Sequence, residues 1–135
     1  MEVLRWKTRL AVLWVIKAMG FSAYSLTLLM QPGNIKEIMS GALWGMPINA
    51  GSQLVMTFFW WIPWVMAWLT LTLKNTAANR WINFALGLFF AVSLIGGLSM
   101  DIPYATTALI VNYFVGMMVS LLIAWYAWKW PKQQE

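Results

Sequence analysis

LAVLWVIKAMGFSAYSLTLLM, residues 10–30, decides how this chain is read. The run is apolar along its whole length, holds one charge, Lys17, and has no turn signal inside it. About 20 such residues are needed for a helix to cross the hydrocarbon core of a bilayer. Three further windows of the same kind follow: Pro47–Leu73, Trp81–Met100 and Pro103–Trp130. All four runs are continuous rather than alternating, which predicts helices instead of a barrel, because a helix satisfies its own backbone. The expectation is an all-α membrane protein, a single four-transmembrane-helix bundle over residues 1–135, built as two in-out-in hairpins.

Composition agrees. Of 135 residues, 61% are hydrophobic and 10% charged, against roughly 45–50% and about 25% in soluble domains. The chain has no Cys and no His, which removes disulfides, thiolate nucleophiles and the commonest metal ligands. No metal site and no cofactor are therefore expected. The acids are Glu2, Glu37, Asp101 and Glu135. A net charge of +5 could suggest a nucleic-acid binder, but the basic residues stand at the ends of apolar runs. Their partner is expected to be the lipid bilayer, and their placement is an orientation signal.

With four spans, one side of the membrane receives Arg5, Lys7 and Arg9 from the N-terminal tail, Lys74 and Arg80 from the second connection, and Lys129 and Lys132 from the C-terminal tail. The other side receives only Lys36. Basic segments stay in the cytoplasm, so both termini are predicted there, in a cell (inner) membrane. Trp6, Trp81, Trp128 and Trp130 fall at the same boundary and Trp44 at the opposite one, where indoles favour the headgroup layer. The start of the chain resembles a signal peptide. Lys17 ends that apolar run early and no small-x-small site follows, so it is read as a retained first span.

The longest connection, Gln31–Met46, holds a Pro32-Gly33-Asn34 turn and a short amphipathic segment, Ile35–Ser40, with Ile35, Ile38 and Met39 on one face. It is expected on the outer surface, with Gly41 turning the chain back. Pro47 and Pro103 are expected to open their spans, where a missing N–H costs little. Pro63 is expected to kink the second span. Asp101, at the edge of the third span, is expected to act as a cap or to serve the tight turn that follows.

Polar residues within the spans carry the functional reading. Lys17 lies about 10 Å inside the inner boundary at ~1.5 Å of rise per residue, and a charge at that depth costs roughly 2.5–3.5 kcal/mol. It snorkels or bonds to neighbouring carbonyls, serves as the counter-ion of a ligand or as a functional lysine in a cavity, or meets another subunit. Asn49, Gln53 and Thr57 repeat every four residues on one face of the second span, Tyr24 shares a side with Lys17, and Asn112 stands at similar depth. Convergence of these faces would form an outward-opening polar cavity with Lys17 at its floor. The alternative is hydrogen bonding that glues helices together. Trp61 and Trp64 could wall such a cavity or face lipid. Ala108, Asn112, Gly116, Ser120 and Ala124 form a small-residue stripe at spacing four, answered by Gly87 and Ala91. Stripes of this kind let helices pack closely, within one chain or in a homo-oligomer.

The segments PGNIKEIMSG (32–41), NRWIN (79–83) and WYAWKW (125–130) resemble a family of small four-span prokaryotic membrane proteins, broadly of the DoxX type. The resemblance runs over most of the chain and implies a four-helix bundle. It implies no activity, so no catalytic residue carries over. The family often has an acid near the end of the first span, where this chain has Ser25, which puts in doubt any mechanism built on that acid. Small multidrug transporters also have four spans, but with an embedded glutamate; the opposite sign of Lys17 disfavours export of cations.

Two functions from different classes remain. One is a binding or transport module for a small amphipathic or anionic ligand, using Lys17, Tyr24, Asn49, Gln53, Thr57 and Asn112 with Trp61 and Trp64. The other is an accessory or structural subunit acting through helix packing. An enzyme is not expected, since membrane enzymes rely on His, Cys or paired carboxylates.

Overall fold

The structure, a computed structural model, describes residues 1–131. Lys132 and Glu135, named above, lie outside the described residues. The elements are α1 (Glu2–Met30), α2 (Asn34–Met39), β1 (Ala42–Leu43), β2 (Met46–Pro47), α3 (Ala50–Thr72), α4 (Thr76–Asp101) and α5 (Thr107–Lys129). Of these, α1, α3, α4 and α5 are long and apolar enough to cross a membrane. This is the architecture of a multi-pass membrane protein.

Helix limits follow side-chain caps rather than the prolines. Asn49 caps α3 by accepting from the Ser52 N–H, while the Ser52 hydroxyl accepts from the Asn49 N–H. Thr106 caps α5 by accepting from the Leu109 N–H, and Asn75 caps α4 by accepting from the Ala78 N–H. Pro47 therefore belongs to a strand and Pro103 to a turn, and neither opens a span. An N-terminal donor is better served by an Asn, Ser or Thr oxygen than merely removed by proline. The helices also begin or end outside the apolar windows, most clearly at Glu2 and Thr76.

The start of α1 and the end of α5 meet at one end of the bundle, the basic end. There Trp6 packs edge-on against Tyr126 at 6.0 Å, and the Arg80 guanidinium donates to the Trp130 carbonyl. Lys7 Nζ donates to the Leu73 carbonyl at 2.7 Å, covering the C-terminus of α3. Arg9 lies over Trp6, Arg80 over Trp81 and Lys129 over Trp125, with 4.4–5.5 Å between cation and ring. Such cation–indole pairs suit a headgroup boundary.

The opposite end is covered by α2 and a two-stranded hairpin. Trp44 (φ 50) and Gly45 (φ 76) form its turn, the left-handed pair that a tight hairpin requires. Trp44 is a costly residue there, and three contacts hold it. Its N–H donates to Glu37, its indole donates to Asn34, and its ring stacks on Tyr104 at 5.5 Å and 12°. Gln31 also donates to the Tyr104 carbonyl at 2.7 Å. The first connection is thereby fastened to the α4–α5 turn as a lid.

The core gathers at the basic half, from Leu10 and Trp14 of α1, Met66 and Ala67 of α3, Phe90 of α4, Val119, Ile123 and Ala127 of α5, and Trp130. The backbones of α4 and α5 approach closely at Gly87. A Cβ at Gly87 would come within 2.8 Å of the Ala124 nitrogen and 3.0 Å of the Ser120 carbonyl oxygen. Ala91, Ser120 and Ala124 are buried in the same seam, and a Cβ at Gly116 would meet Leu94 of α4 at 3.2 Å. Ala108 alone of the stripe is exposed. The stripe is thus occupied within the chain.

Gly87→Val is expected to destabilise the bundle by about 1–3 kcal/mol, the usual cost of overpacking. Gly20→Ala, where nothing lies within 4 Å of the new Cβ, is expected to change it little. Thermal unfolding in detergent followed by far-ultraviolet circular dichroism distinguishes the two.

Candidate functional site

Polar groups inside the bundle fall into three levels along α1. The level nearest the basic end is a closed hydrogen-bond network. Asn83 Oδ1 accepts from the Trp14 indole at 2.6 Å and from the Thr70 hydroxyl at 3.1 Å. Its Nδ2 donates to the Asn79 carbonyl and to Asn79 Oδ1, both at 2.8 Å. Asn79 Nδ2 in turn donates to the Thr70 carbonyl at 2.8 Å. Trp14, Thr70, Asn79 and Asn83 are all buried. The network joins α1, α3 and α4, and every amide atom in it has a partner, as a low-dielectric interior requires.

At the lid end a second group joins α1, α4 and α5. Tyr113 donates to Asp101 Oδ2. Tyr24 Oη lies 3.2 Å from the same oxygen and 3.2 Å from Tyr113 Oη. The Tyr24 and Tyr113 rings meet edge to face at 5.2 Å. Close by, Asn112 Nδ2 reaches the Thr27 hydroxyl at 3.4 Å and the Ala108 carbonyl at 3.0 Å. Asp101 therefore serves as a cross-helix acceptor rather than as a side-chain cap. Its backbone carbonyl makes the turn, accepting from Tyr104 and Ala105.

Lys17 occupies the level between. It is 8% exposed, and its ammonium lies 4.7 Å from the centroid of the Phe90 ring. Phe90 also meets Trp14 at 5.8 Å and Phe59 at 5.4 Å, so the ammonium sits where α1, α3 and α4 come together. Among the described residues it makes no hydrogen bond and no ion pair. A ring face contributes about 0.5–2 kcal/mol to a cation, well short of the cost of burying one without a counter-ion. Lys17 thus stays without hydrogen bond or ion pair among the described residues, and the fully enclosed side-chain atom without a partner is Gln31 Oε1 at the lid end.

The residues expected to converge on Lys17 divide. Tyr24 turns to Asp101 and Tyr113, and Asn112 to Thr27. Asn49 is spent as a cap, while Gln53 and Thr57 are exposed, with the Thr57 hydroxyl donating to the Gln53 carbonyl. Trp61 and Trp64, 59% and 39% exposed, face away from the interior. Trp61 continues the row of Asn49, Gln53 and Thr57 at spacing four, so that row is the outward face of α3. The outward-opening cavity predicted from it does not form, because Met66, Ala67 and Thr70 set the buried face of α3 on another side. Two surface hollows lie at the ends of the bundle, one around Trp6 and Trp130 and one around Met30 and Ile35, and Lys17 lines neither.

The wall over Lys17 is uneven. From Pro63 toward the basic end, α3 buries Pro63, Met66, Ala67 and Thr70. From Ala50 to Phe58 every residue of α3 is exposed. Helices α3 and α4 meet through Thr70 with Asn79 and Asn83, and again through Phe59 with Phe89 and Phe90. On the lid side of Phe59 the two helices share no further aromatic or side-chain hydrogen-bonded contact among the described residues. This loosely packed side, the seam between α3 and α4, begins beside Phe90, the ring under Lys17. Asn79, Asn83, Asp101 and Tyr113 were not recognised from the sequence as parts of a site. The four-residue spacing of Asn79 and Asn83 at the start of an apolar run was the available signal for the first pair. Asp101 and Tyr113 are joined only by the fold.

Compared with known protein families, characterised proteins and solved structures, the chain matches none.

Asn83→Leu is expected to leave the Trp14 and Thr70 donors unpaired, each at a cost of about 1–3 kcal/mol. Asn112→Leu, at a half-buried position, is expected to cost less. The midpoint of unfolding in sodium dodecyl sulfate, read by tryptophan fluorescence, orders the two variants; equal midpoints would contradict a central role for Asn83.

Proposed function

We propose that this chain is a membrane-embedded binding or transport-type module for a small amphipathic ligand, with Lys17 as the residue that fixes the ligand's head. The observation that carries this reading is the ammonium of Lys17, buried without hydrogen bond or ion pair among the described residues, beside Phe90 where the seam between α3 and α4 begins. The two neighbouring polar levels spend their groups on one another, which keeps them from neutralising Lys17. The loosely held lid half of α3 is the wall that can part to admit a ligand. Its apolar surroundings favour an amphiphile over a small hydrophilic anion.

In this reading the bundle sits in the cell membrane with the basic end, and so both termini, facing the cytoplasm. Arg5, Lys7, Arg9, Lys74, Arg80 and Lys129 support that orientation, with Lys36 alone on the lid side. The module is read as a binder rather than an enzyme. Among the described residues, the one carboxylate inside the bundle, Asp101, is engaged by two phenols, and Lys17 has no general acid or base beside it.

The test is native mass spectrometry of the protein released from nanodiscs made with the lipids of its host membrane. A reproducible small adduct is expected on the wild-type chain and is expected to disappear in Lys17→Met, with helicity unchanged by circular dichroism. A bare mass in both proteins, or an adduct indifferent to the substitution, would reject the reading.

A further inference from the structure

The direction from which Lys17 can be reached narrows the chemistry of what reaches it. At the lid end, the way in from water is barred twice. The lid is fastened to the α4–α5 turn by the Gln31 bond to the Tyr104 carbonyl and by the Trp44–Tyr104 stack. Beneath it, Asp101, Tyr24 and Tyr113 tie α4, α1 and α5 together. At the basic end, the Asn79–Asn83 network and the packed core close the interior. The side between α3 and α4 has no such tie on the lid side of Phe59, and there α3 exposes Ala50–Phe58. Leu54, Val55, Met56 and Phe58 make that stretch a surface for hydrocarbon.

Charge and depth supply the rest. The Lys17 ammonium has three donors and makes no hydrogen bond to any described residue. One univalent anion neutralises it, whereas a doubly charged group would leave a net charge in a low-dielectric interior. The level of Lys17 lies about 10 Å along α1 from that of Tyr24, at ~1.5 Å per residue. The anionic head must therefore sit below the headgroup layer, a depth that the bulky, glycerol-tethered head of a phospholipid does not reach. A carboxylate at the end of one alkyl chain meets all three conditions. It is univalent, compact and carried by a tail that lies in hydrocarbon.

We infer that the ligand class of this site is a single-chain carboxylate, a free fatty acid in chemical terms, which reaches Lys17 sideways from the bilayer through the seam between α3 and α4. The inference rests on the reading of Lys17 as the head-binding residue. The carboxylate accepts hydrogen bonds from Lys17 beside Phe90, and the tail runs out between the lid halves of α3 and α4.

Two arms test it on the full chain in phosphatidylcholine nanodiscs. In the first, oleate, oleylamine and phosphatidylglycerol are each titrated and read by native mass spectrometry. Oleate is expected to bind one per chain, at least tenfold more weakly to Lys17→Met and within about threefold of wild type to Lys17→Arg. In the second, Val55→Cys and Ser93→Cys place one thiol on each side of the seam, a turn lidward of the Phe59–Phe89 contact. The chain has no other cysteine, so a bis-methanethiosulfonate reagent, which forms a disulfide at each thiol with loss of sulfinate, links that pair alone. Linking is expected to abolish oleate uptake, and reductive release to restore it. This arm needs no change at Lys17. Selective, Lys17-dependent binding of phosphatidylglycerol or oleylamine would overturn the carboxylate class while leaving the binding reading in place. Uptake of oleate by the linked protein would overturn the sideways route. Equal binding of all three probes to wild type and Lys17→Met would overturn both the inference and the reading beneath it.

Discussion

A polar group surrounded by hydrocarbon has to find its partner inside the protein, and the interior of this bundle is arranged around that demand. Asn83 meets it most fully. Its carbonyl oxygen takes two donors, from α1 and α3, and its amide nitrogen gives two bonds to Asn79. Removing either side of this arrangement strands buried groups on three helices at once. The packed core of Leu10, Trp14, Met66, Phe90 and Ile123 lies in the same half of the bundle. Network and core together make the basic half the rigid part of the molecule.

The lid half is held differently. Tyr24 and Tyr113 share Asp101, which secures α1, α4 and α5 to one another but leaves out α3. Beyond Phe59, α3 has its cap at Asn49 and the lid connection to hold it in place, and no buried residue as far as Phe58. Pro63 stands at the transition. It lies at a buried position where its missing N–H releases one backbone bond of the helix. A rigid half joined to a half with one free wall is a form suited to admitting a ligand, and Lys17 lies at the junction between the two.

Lys17 is one of two exceptions to that rule among the described residues, the other being Gln31 Oε1 at the lid end. Asn79, Asn83, Asp101 and the tyrosines are all matched, whereas this ammonium rests on the face of Phe90. Local breaches of an otherwise consistent interior are where function concentrates. The small-residue stripe gives the contrasting case. Gly87, Ser120 and Ala124 are consumed in the α4–α5 contact, so their spacing is explained by packing within the chain.

Residue type and order alone determined the four long apolar helices, the position of Lys17 as a charge deep within an apolar run, and the short helix in the first connection. These depend on run length and on the cost of charge in hydrocarbon, which neighbouring segments do not alter. Only the tertiary structure decided which face of each helix turns inward. The row Asn49, Gln53 and Thr57 was legible as a face, but Met66, Ala67 and Thr70 carry the buried side of α3, and the row points outward. Within an almost uniformly apolar helix, periodicity hardly distinguishes a lipid-facing side from a packed one, because both are apolar. For the same reason the meeting of Tyr24 with Asp101 and Tyr113, and of Trp14 with Asn83, could not be read from order along the chain. Those pairs are 77 and 69 residues apart or more, and they are set by the packing of α1 beside α5 and by long side chains that reach from α1 across to α4.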